Sequence, residues 1–354
     1  IINYQTKPMK FPVFRVTLFT VLSFPVIATA QNLNGSSITA ISTEVPFLNI
    51  SPDSRSGAMG EAGVALSPDV NANFWNPSKL AFIEETTALS LSYSPWLRRI
   101  VPDVNLAYLS FAHKLDERNT FGASLRYFNM GAIALTGPAN ENEGTYTPNE
   151  FSIDASFARK FGNNLSLGLT LRYINSNLSN TSFASNTGQT AKAANAVAAD
   201  VSVYYRNPTQ QFGKDAMFAF GANISNIGTK ISYSENGPKY FLPTNLKIGA
   251  ANTWYLNSMS QFTVTLDLNK LLVPTTLTNP DGSRNYGEDI SVPGGIFQSF
   301  TDAPGGFSEE LKEITLSPGV EYWYDQKFAL RAGYFFDSAD KGNRKYLSLG
   351  AGFK

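Results

Sequence analysis

Apolar and polar residues alternate strictly over short segments that recur along most of this chain. In residues 165–173, LSLGLTLRY, the leucines and Tyr173 fall on one face of an extended strand, whereas Ser166, Thr170 and Arg172 fall on the other. After residue 85 we identify twelve such segments: 86–95, 103–113, 119–129, 150–161, 164–175, 196–207, 216–226, 243–256, 260–270, 315–324, 327–337 and 345–354. Each has about the length that a tilted β-strand needs to cross a bilayer.

The charged residues in the middle of these segments share one face of the predicted sheet. They are Arg126, Asp154, Arg172, Asp200, Lys247, Asp267, Glu321 and Arg331. A charge that faces lipid near the bilayer centre costs about 2–4 kcal/mol in a barrel, so we expect these side chains to point into a lumen. The pattern predicts an all-β membrane protein, an antiparallel transmembrane β-barrel over residues 86–354. A secreted β-sandwich or lipocalin-like barrel is the competing interpretation, because it shows the same alternation.

The connections between the predicted strands largely alternate between long and short. The longest are 130–149, 176–195 and 271–314, whereas 162–163 and 325–326 hold two residues each. Outer-membrane barrels have long outside loops and short periplasmic turns, so we expect extracellular long loops and two periplasmic termini. Aromatic residues such as Tyr204-Tyr205 and Trp254-Tyr255 crowd the strand ends, as in an interfacial girdle.

The N-terminal residues are typical of an exported protein. Residues 9–30 combine a basic start, an apolar stretch and Ala28-Thr29-Ala30, which predicts a secretory signal peptide. We expect residues 1–8 to lie upstream of the true start and residues 31–45 to form an N-terminal extension. Together with the strand pattern, this predicts a bacterial outer-membrane location.

The composition argues against several functional classes. The chain has no net charge, which gives nucleic acid no electrostatic support as a partner. It has no Cys, and His113 is its one His, which argues against thiolate or multi-His metal sites and against most acid–base catalysis. Residues 279–283, NPDGS, suggest calcium only faintly, and a plain turn is the simpler interpretation. With no phosphate loop, cofactor motif or catalytic set recognisable, we expect no enzymatic activity and no cofactor.

Residues 46–85 break the strand pattern and predict a short helical plug inside the barrel. Ser51-Pro52, Ser67-Pro68 and Asn76-Pro77 each place a capping residue before a proline, which predicts helix starts. Gly57, Gly60 and Gly63 predict tight turns or close packing. A periplasmic appendage is the alternative to a plug.

Two motifs in this segment resemble known outer-membrane proteins. SRSGAMGEAGVAL followed by WNPSKLAF is similar to the N-terminal signature of FadL-like barrels, whose Asn-Pro-Ala motif is Asn76-Pro77-Ser78 here and departs at its third position. From PFLNISPDSRSGAMGEAGVA to ALSLSYSPWLRRIVPDVNLAYLSF the chain resembles the PorV family of the type IX secretion system in the Bacteroidetes. The resemblance is densest over residues 46–130 and implies fourteen strands, two more than the twelve that the pattern shows.

The resemblance also implies a function and partners. Proteins of this kind bind the C-terminal signal domain of secreted cargo at the translocon and pass it to the sortase complex that attaches cargo to the surface. We expect loops 130–149 and 271–314 to be the contact regions. The second loop carries a net charge of −5, and its candidate docking residues are Asp281, Glu288, Asp289, Glu309 and Glu310. The alternative is a FadL-type transporter of hydrophobic small molecules, with a pocket lined by Met59, Phe74, Trp75 and Phe82.

Overall fold

The structure is a computed structural model that describes residues 41–96, 101, 103–137, 140–178, 192–234, 237–278, 284–285, 287 and 289–354. The predicted signal peptide, the residues before it and most of the predicted extension lie outside this part of the chain. So do residues 279–283, the possible calcium turn, and Glu288.

Sixteen strands are described, and twelve of them form one antiparallel sheet. The strands are β1 Thr87–Pro95, β2 Asn105–Lys114, β3 Asn119–Asn129, β4 Ile133–Thr136, β5 Asn142–Tyr146, β6 Asn149–Phe161, β7 Leu165–Asn177, β8 Ala194–Gln211, β9 Lys214–Gly228, β10 Asn245–Tyr255, β11 Ser260–Leu271, β12 Leu277–Thr278, β13 Arg284–Asn285, β14 Thr315–Tyr324, β15 Phe328–Phe336 and β16 Lys345–Phe353. The sheet order is β1-β2-β3-β6-β7-β8-β9-β10-β11-β14-β15-β16, so each wall strand pairs with the next one along the chain.

All twelve predicted strands are present, with small shifts of their ends. The largest difference is between β8 and β9, where a connection was expected over residues 208–215. Both strands continue through it to a two-residue turn, Phe212-Gly213, at which both φ angles are positive. Turns of this kind match the twist of paired strands and let a hairpin extend to its tip.

The two extra strands implied by the family resemblance do not join the wall. Loop 130–148 contains β4 and β5, and loop 272–314 contains β12 and β13, but each pair forms its own two-stranded sheet. The main sheet of the described residues therefore has twelve strands. Within those residues β1 and β16 each pair with a single neighbour. In lipid an unpaired backbone edge costs several kcal/mol per group, so we expect these two antiparallel strands to close the barrel.

The wall is apolar on the outside and polar on the inside, the reverse of a soluble sheet. Leu91, Leu171 and Leu349 are 76%, 62% and 73% exposed on the outer face. The inner face is lined by buried serines, threonines and charged residues, which include Ser156, Asp154 and Arg172. This arrangement confirms the predicted membrane barrel, whose outer leucines contact lipid.

Short helices lie in two places, the N-terminal segment and the loop between β11 and β14. The first set comprises a 3₁₀ turn Pro46–Asn49, α1 Ser54–Gly57, α2 Ala72–Trp75 and a 3₁₀ turn Pro77–Phe82; the second comprises α3 Val292–Gln298, α4 Phe307–Glu310 and a 3₁₀ turn Leu311–Glu313. No helix in the described part of the chain is long and apolar enough to span a membrane.

Of the three predicted Pro-marked helix starts, only Asn76-Pro77 begins a helical element. Ser51-Pro52 precedes α1 but does not cap it. Instead Asp53 accepts a hydrogen bond from the Ser56 N–H at 2.9 Å, because its carboxylate is one residue from the first helical turn. No helix starts at Ser67-Pro68, and α2 begins only at Ala72.

Candidate functional site

The N-terminal segment 46–83 lies inside the wall and is bound to it by hydrogen bonds. The Gly60 N–H donates to Ser348 Oγ at 2.9 Å, and the Ser78 N–H donates to Ser202 Oγ at 3.0 Å. Asn76 Nδ2 donates both to the carbonyl of Val64, within the segment, and to that of Val203 on the wall. The segment therefore occupies the lumen as a plug.

The plug glycines are positions of close approach. Gly60 has a positive φ of 71°, and a Cβ there would lie 2.6 Å from the backbone of Tyr334. A Cβ on Gly63 would lie 2.3 Å from the Trp75 ring. Gly57 is less crowded, since the nearest atom to a Cβ placed there would be Ser51 Oγ at 3.7 Å. Pro77 opens the 3₁₀ turn that packs against β6 and β7.

Arg172, on β7, is the centre of a fully buried ionic cluster in the wall. Its guanidinium contacts Asp154 of β6 at 2.7 Å and Asp200 of β8 at 2.9 Å, and it also donates to Asn226 Oδ1. Asp154 lies directly opposite Arg172 in the strand register. Because each charge in this cluster has an opposite charge as partner, the cluster can hold neighbouring strands together in the lumen.

A second ionic cluster joins the plug to strands β14 and β15 of the wall. Arg55 of α1 contacts Glu321 of β14 at 2.8 Å and Asp69 of the plug at 2.8 Å. Glu321 also accepts from Arg331 of β15 at 2.6 Å. The sequence patterns single out Glu321 and Arg331 but not Arg55, because a lone arginine in an irregular segment carries no periodic signal.

Asp267 and Lys79 bind the backbone of the connection between α1 and α2, at Gly63 and Val64. Asp267 Oδ2 accepts from the N–H groups of Gly63 and Val64 at 2.7 and 2.8 Å. Lys79 Nζ donates to the Gly63 carbonyl at 2.7 Å. Burial lowers the pKa of Lys79 to about 8, because the lumen gives its ammonium group little water.

Arg126 and Lys247 both lie close to the aromatic ring of Phe74. The Arg126 guanidinium lies 4.6 Å and the Lys247 ammonium 4.7 Å from the centre of the Phe74 ring. Lys247 also lies 4.4 Å from the Trp75 ring. Arg126 donates to the carbonyl of Leu48 at 2.7 Å, which ties the start of the plug to β3.

A cavity of about 230 Å³ lies between the plug and the connection 337–344. Its walls are mainly polar, and its lining residues are Ile41, Asn49, Glu61, Trp75, Asn245, Lys247, Asp267, Asn269, Leu271, Glu313, Thr315, Ser317, Phe335, Asp337, Lys341, Gly342 and Arg344. Burial raises the pKa of Asp337, which lines the cavity at the connection 337–344 and has Arg344 as its partner at 3.5 Å.

The apolar residues proposed for a transporter pocket do not come together. Met59, Phe74, Trp75 and Phe82 are all buried, but they pack in three separate clusters. Trp75 lines the 230 Å³ cavity, and Phe74 lines a much smaller one of about 10 Å³. These four side chains therefore pack the plug in place rather than forming one apolar pocket.

Ion pairs fasten the loop 272–314 to the wall. Lys270 of β11 contacts Glu310 at 2.9 Å and Glu313 at 2.5 Å, and Lys341 contacts Glu309 at 2.6 Å. Glu309 and Glu310, two of the residues proposed for docking, thus anchor the loop. Asp289 is exposed, whereas Asp281 and Glu288 are outside the described residues.

Four large apolar side chains of this loop are exposed, a feature that the acidic composition of the loop conceals. Phe297 of α3 and Phe307 of α4 are 78% and 77% exposed, and Phe300 and Leu311 are also exposed. Single phenylalanines in an irregular loop give no sequence pattern, so only their placement reveals the surface. We call these four residues the loop patch.

Other sequence predictions concern groups away from the lumen. His113 lies at the end of β2, where its Nδ1 is 2.8 Å from the Thr87 hydroxyl. Among the residues that the structure describes, no cluster of three or more His, Cys, Asp or Glu side chains is arranged to hold a metal ion.

An antiparallel wall with lipid-facing leucines, a charged lumen and an interior plug defines a plugged β-barrel of the outer membrane. Residues 33–278, more than half of the chain, match the family described as type IX secretion system protein PorV. The chain belongs to this family and is an outer-membrane protein of a type IX secretion system. Among curated proteins no relative matches.

Solved structures similar to this chain share little sequence identity with it. The toluene transporter TodX of Pseudomonas putida has 12% identity and a TM-score of 0.44, with coverage of 84% of this chain and 88% of that chain. A TodX mutant described as a monoaromatic hydrocarbon channel has 13% identity and a TM-score of 0.48, with coverage of 85% of this chain and 89% of that chain. A FadL homologue of Pseudomonas aeruginosa has 12% identity and a TM-score of 0.37, with coverage of 85% of this chain and 86% of that chain. The assignment to the family rests on the sequence match alone.

Proposed function

We propose that this protein is the non-enzymatic barrel that receives secreted cargo in the type IX system. It binds the C-terminal signal domain of cargo at the translocon and carries it to the sortase and attachment complex. In this proposal both termini are periplasmic and the long loops are extracellular. Because the plug occupies the lumen, cargo docks on the outer loops and travels laterally with the barrel.

The observation that carries the proposal is the loop patch. Large apolar side chains that are three-quarters exposed cost free energy in water, and exposed aromatic residues of this kind are typical of protein interfaces. The patch is also well supported, since Lys270 and Lys341 bind the acidic residues beneath it. In addition, the Thr275 N–H donates to Asp302 Oδ2 at 2.9 Å, which ties the two arms of the loop together. A supported apolar surface loses little conformational entropy when a partner binds.

The test is a pull-down of the tagged protein from native membranes in mild detergent, with mass spectrometry of the proteins recovered. The wild-type chain should recover the translocon together with secreted proteins that share one C-terminal domain. The double variant Phe297→Ser, Phe307→Ser should recover at least about tenfold less cargo, because buried aromatic anchors contribute about 2 kcal/mol or more each to an interface.

The matched control is Phe212→Ser. Phe212 is 93% exposed at the β8–β9 turn, at the opposite end of the wall, so its loss removes a comparable exposed ring. Cargo recovery should not change in this variant. Equal recovery by the double variant and the wild type would contradict the proposal. A barrel recovered alone, with a bound fatty acid or hydrocarbon, would favour the alternative of a hydrophobic transporter.

A further inference from the structure

Most glycines of the wall strands lie directly against the plug. Seven of the nine are placed so that a Cβ would lie 3.1 Å or less from a plug atom. A Cβ on Gly168 would lie 2.5 Å from the Ser78 nitrogen, and one on Gly319 would lie 2.7 Å from the Met59 carbonyl oxygen. The other five are Gly122, Gly221, Gly249, Gly333 and Gly350. At these points the plug rests on the bare backbone of the wall.

The contacts between plug and wall extend around the sheet. The seven glycines belong to β3, β7, β9, β10, β14, β15 and β16. Hydrogen bonds with Ser110, Val203 and Asp267 add β2, β8 and β11, and an apolar contact with Ala158 adds β6. Every wall strand from β2 to β16 therefore contacts the plug. Because the plug touches all of these strands, widening the lumen into a passage requires movement of the plug.

Apolar clusters hold the plug at both ends of the wall. Near the long loops, Phe47 lies in one buried cluster with residues of β2, β3, β7 and β8. Near the short turns, Leu80 lies in another with buried alanines of β2 and β6. Between the two clusters, the buried Glu321 binds Arg55 of the plug. Movement of the plug would open both clusters and separate a buried ion pair, and each of these changes costs free energy.

We propose that the plug is a permanent lock, which stays in place while the protein works and keeps the lumen closed to small molecules and to cargo. The wall glycines are notches that fix its position. On the inner face of β14, for example, Gly319 lies between Ser317 and Glu321, which are both buried, so Met59 cannot slide along the strand without meeting a side chain. The lock does not depend on the docking of cargo at the loop patch.

The test is the labelling of single introduced thiols, which is unambiguous because the chain has no Cys. Ser56→Cys and Ser78→Cys each place a thiol in the plug at a position where the serine is buried, 4% and 0% exposed. The sulfur replaces a hydroxyl oxygen, so the side chain changes little in size. Each variant is treated with a water-soluble maleimide in isolated native membranes, where both ends of the barrel are accessible. The labelling is repeated after recovery in mild detergent together with the proteins that it binds.

The matched controls are Ser258→Cys, at the turn between β10 and β11, and Ser308→Cys, on α4. They make the same substitution at exposed positions, one at each end of the wall. Both plug thiols should react at least about a hundredfold more slowly than the controls, because a buried thiol reacts only when its segment opens. Their rates should be the same with and without bound proteins. Unfolding in urea should make all four thiols react alike.

A further variant tests the notches themselves. Gly319→Ala places a Cβ against Met59, so in combination with Ser56→Cys it should speed the labelling about tenfold or more. Equal rates with and without Gly319→Ala would show that the notch does not hold the plug. Labelling of either plug thiol in the folded barrel at the rate of the controls, or a clear rise in its rate when cargo is bound, would overturn the proposal.

Discussion

The lumen and the loop 272–314 both contain charged and aromatic residues, but they differ in whether the aromatic rings are buried. In the lumen both the charges and the aromatic rings are hidden, and clusters such as Arg172 with Asp154 and Asp200 join strands to each other. In the loop the charges are again paired and largely hidden, but Phe297 and Phe307 face solvent. Ion pairs therefore join segments of the chain in both regions, whereas only the loop leaves large aromatic side chains exposed. This difference separates the residues that hold the barrel together from those that can bind a partner.

The largest expected effect is in the lumen, at the Arg172 cluster. Arg172→Met should lower the free energy of unfolding by about 3–5 kcal/mol, because it leaves Asp154 and Asp200 buried without their cation. The measurement is urea unfolding of the chain reconstituted in lipid vesicles, followed by tryptophan fluorescence.

Lys327→Gln serves as the control for removal of a charge. Lys327 contacts Asp325 at 2.7 Å, but both side chains are about half exposed at a short turn. Water screens such a pair, so we expect no measurable change in its unfolding. If both variants unfold alike, the lumen cluster does not stabilise the wall and the contrast between buried and exposed charges fails.

The next effect concerns the fit between plug and wall. A Cβ on Gly333 of β15 would lie 1.9 Å from the carbonyl carbon of Met59, so the plug must shift in Gly333→Ala. Such overpacking typically costs about 1–3 kcal/mol, and it should make the plug accessible to protease. Limited proteolysis with mass spectrometry of the fragments measures this directly.

Gly57→Ala is the control within the plug itself. Its new Cβ would have ordinary contact with Ser51 Oγ at 3.7 Å, so the cleavage pattern should match that of the wild type. Cleavage of the plug in both variants would mean that it is loosely held whatever the fit at β15.

The predictions from sequence succeed where the signal is local and periodic. Alternation identifies all twelve wall strands, because the lipid and the lumen impose opposite polarity on neighbouring residues. It also places Asp154, Arg172 and Asp200 on one face. Which of them pair depends on strand register, and Asn226 of β9, whose φ is 62°, joins the cluster through its contacts with Arg172 and Asp200.

The contacts between irregular segments and the wall could not be predicted from the sequence. Arg55 and Lys79 belong to a plug without periodicity, and their partners Glu321 and Gly63 are set by the three-dimensional path of the chain. The path of the chain likewise pairs Glu309 with Lys341 and Glu310 with Lys270, contacts that the acidity of the loop alone does not show. The phenylalanines of the loop patch become visible only once their exposure is known.

The smallest expected effect on stability is at the loop patch, and it tests the comparison most directly. Phe307→Ser removes a ring that is 77% exposed, so the free energy of unfolding should change by no more than about 0.5 kcal/mol. Phe74→Ser removes a ring of the same size that lies buried between Arg126 and Lys247, and should cost about 3–5 kcal/mol. Both are measured by urea unfolding in the same vesicles. A large loss for Phe307→Ser would show that its ring packs within the protein, and the loop would then have no free apolar surface to offer a partner.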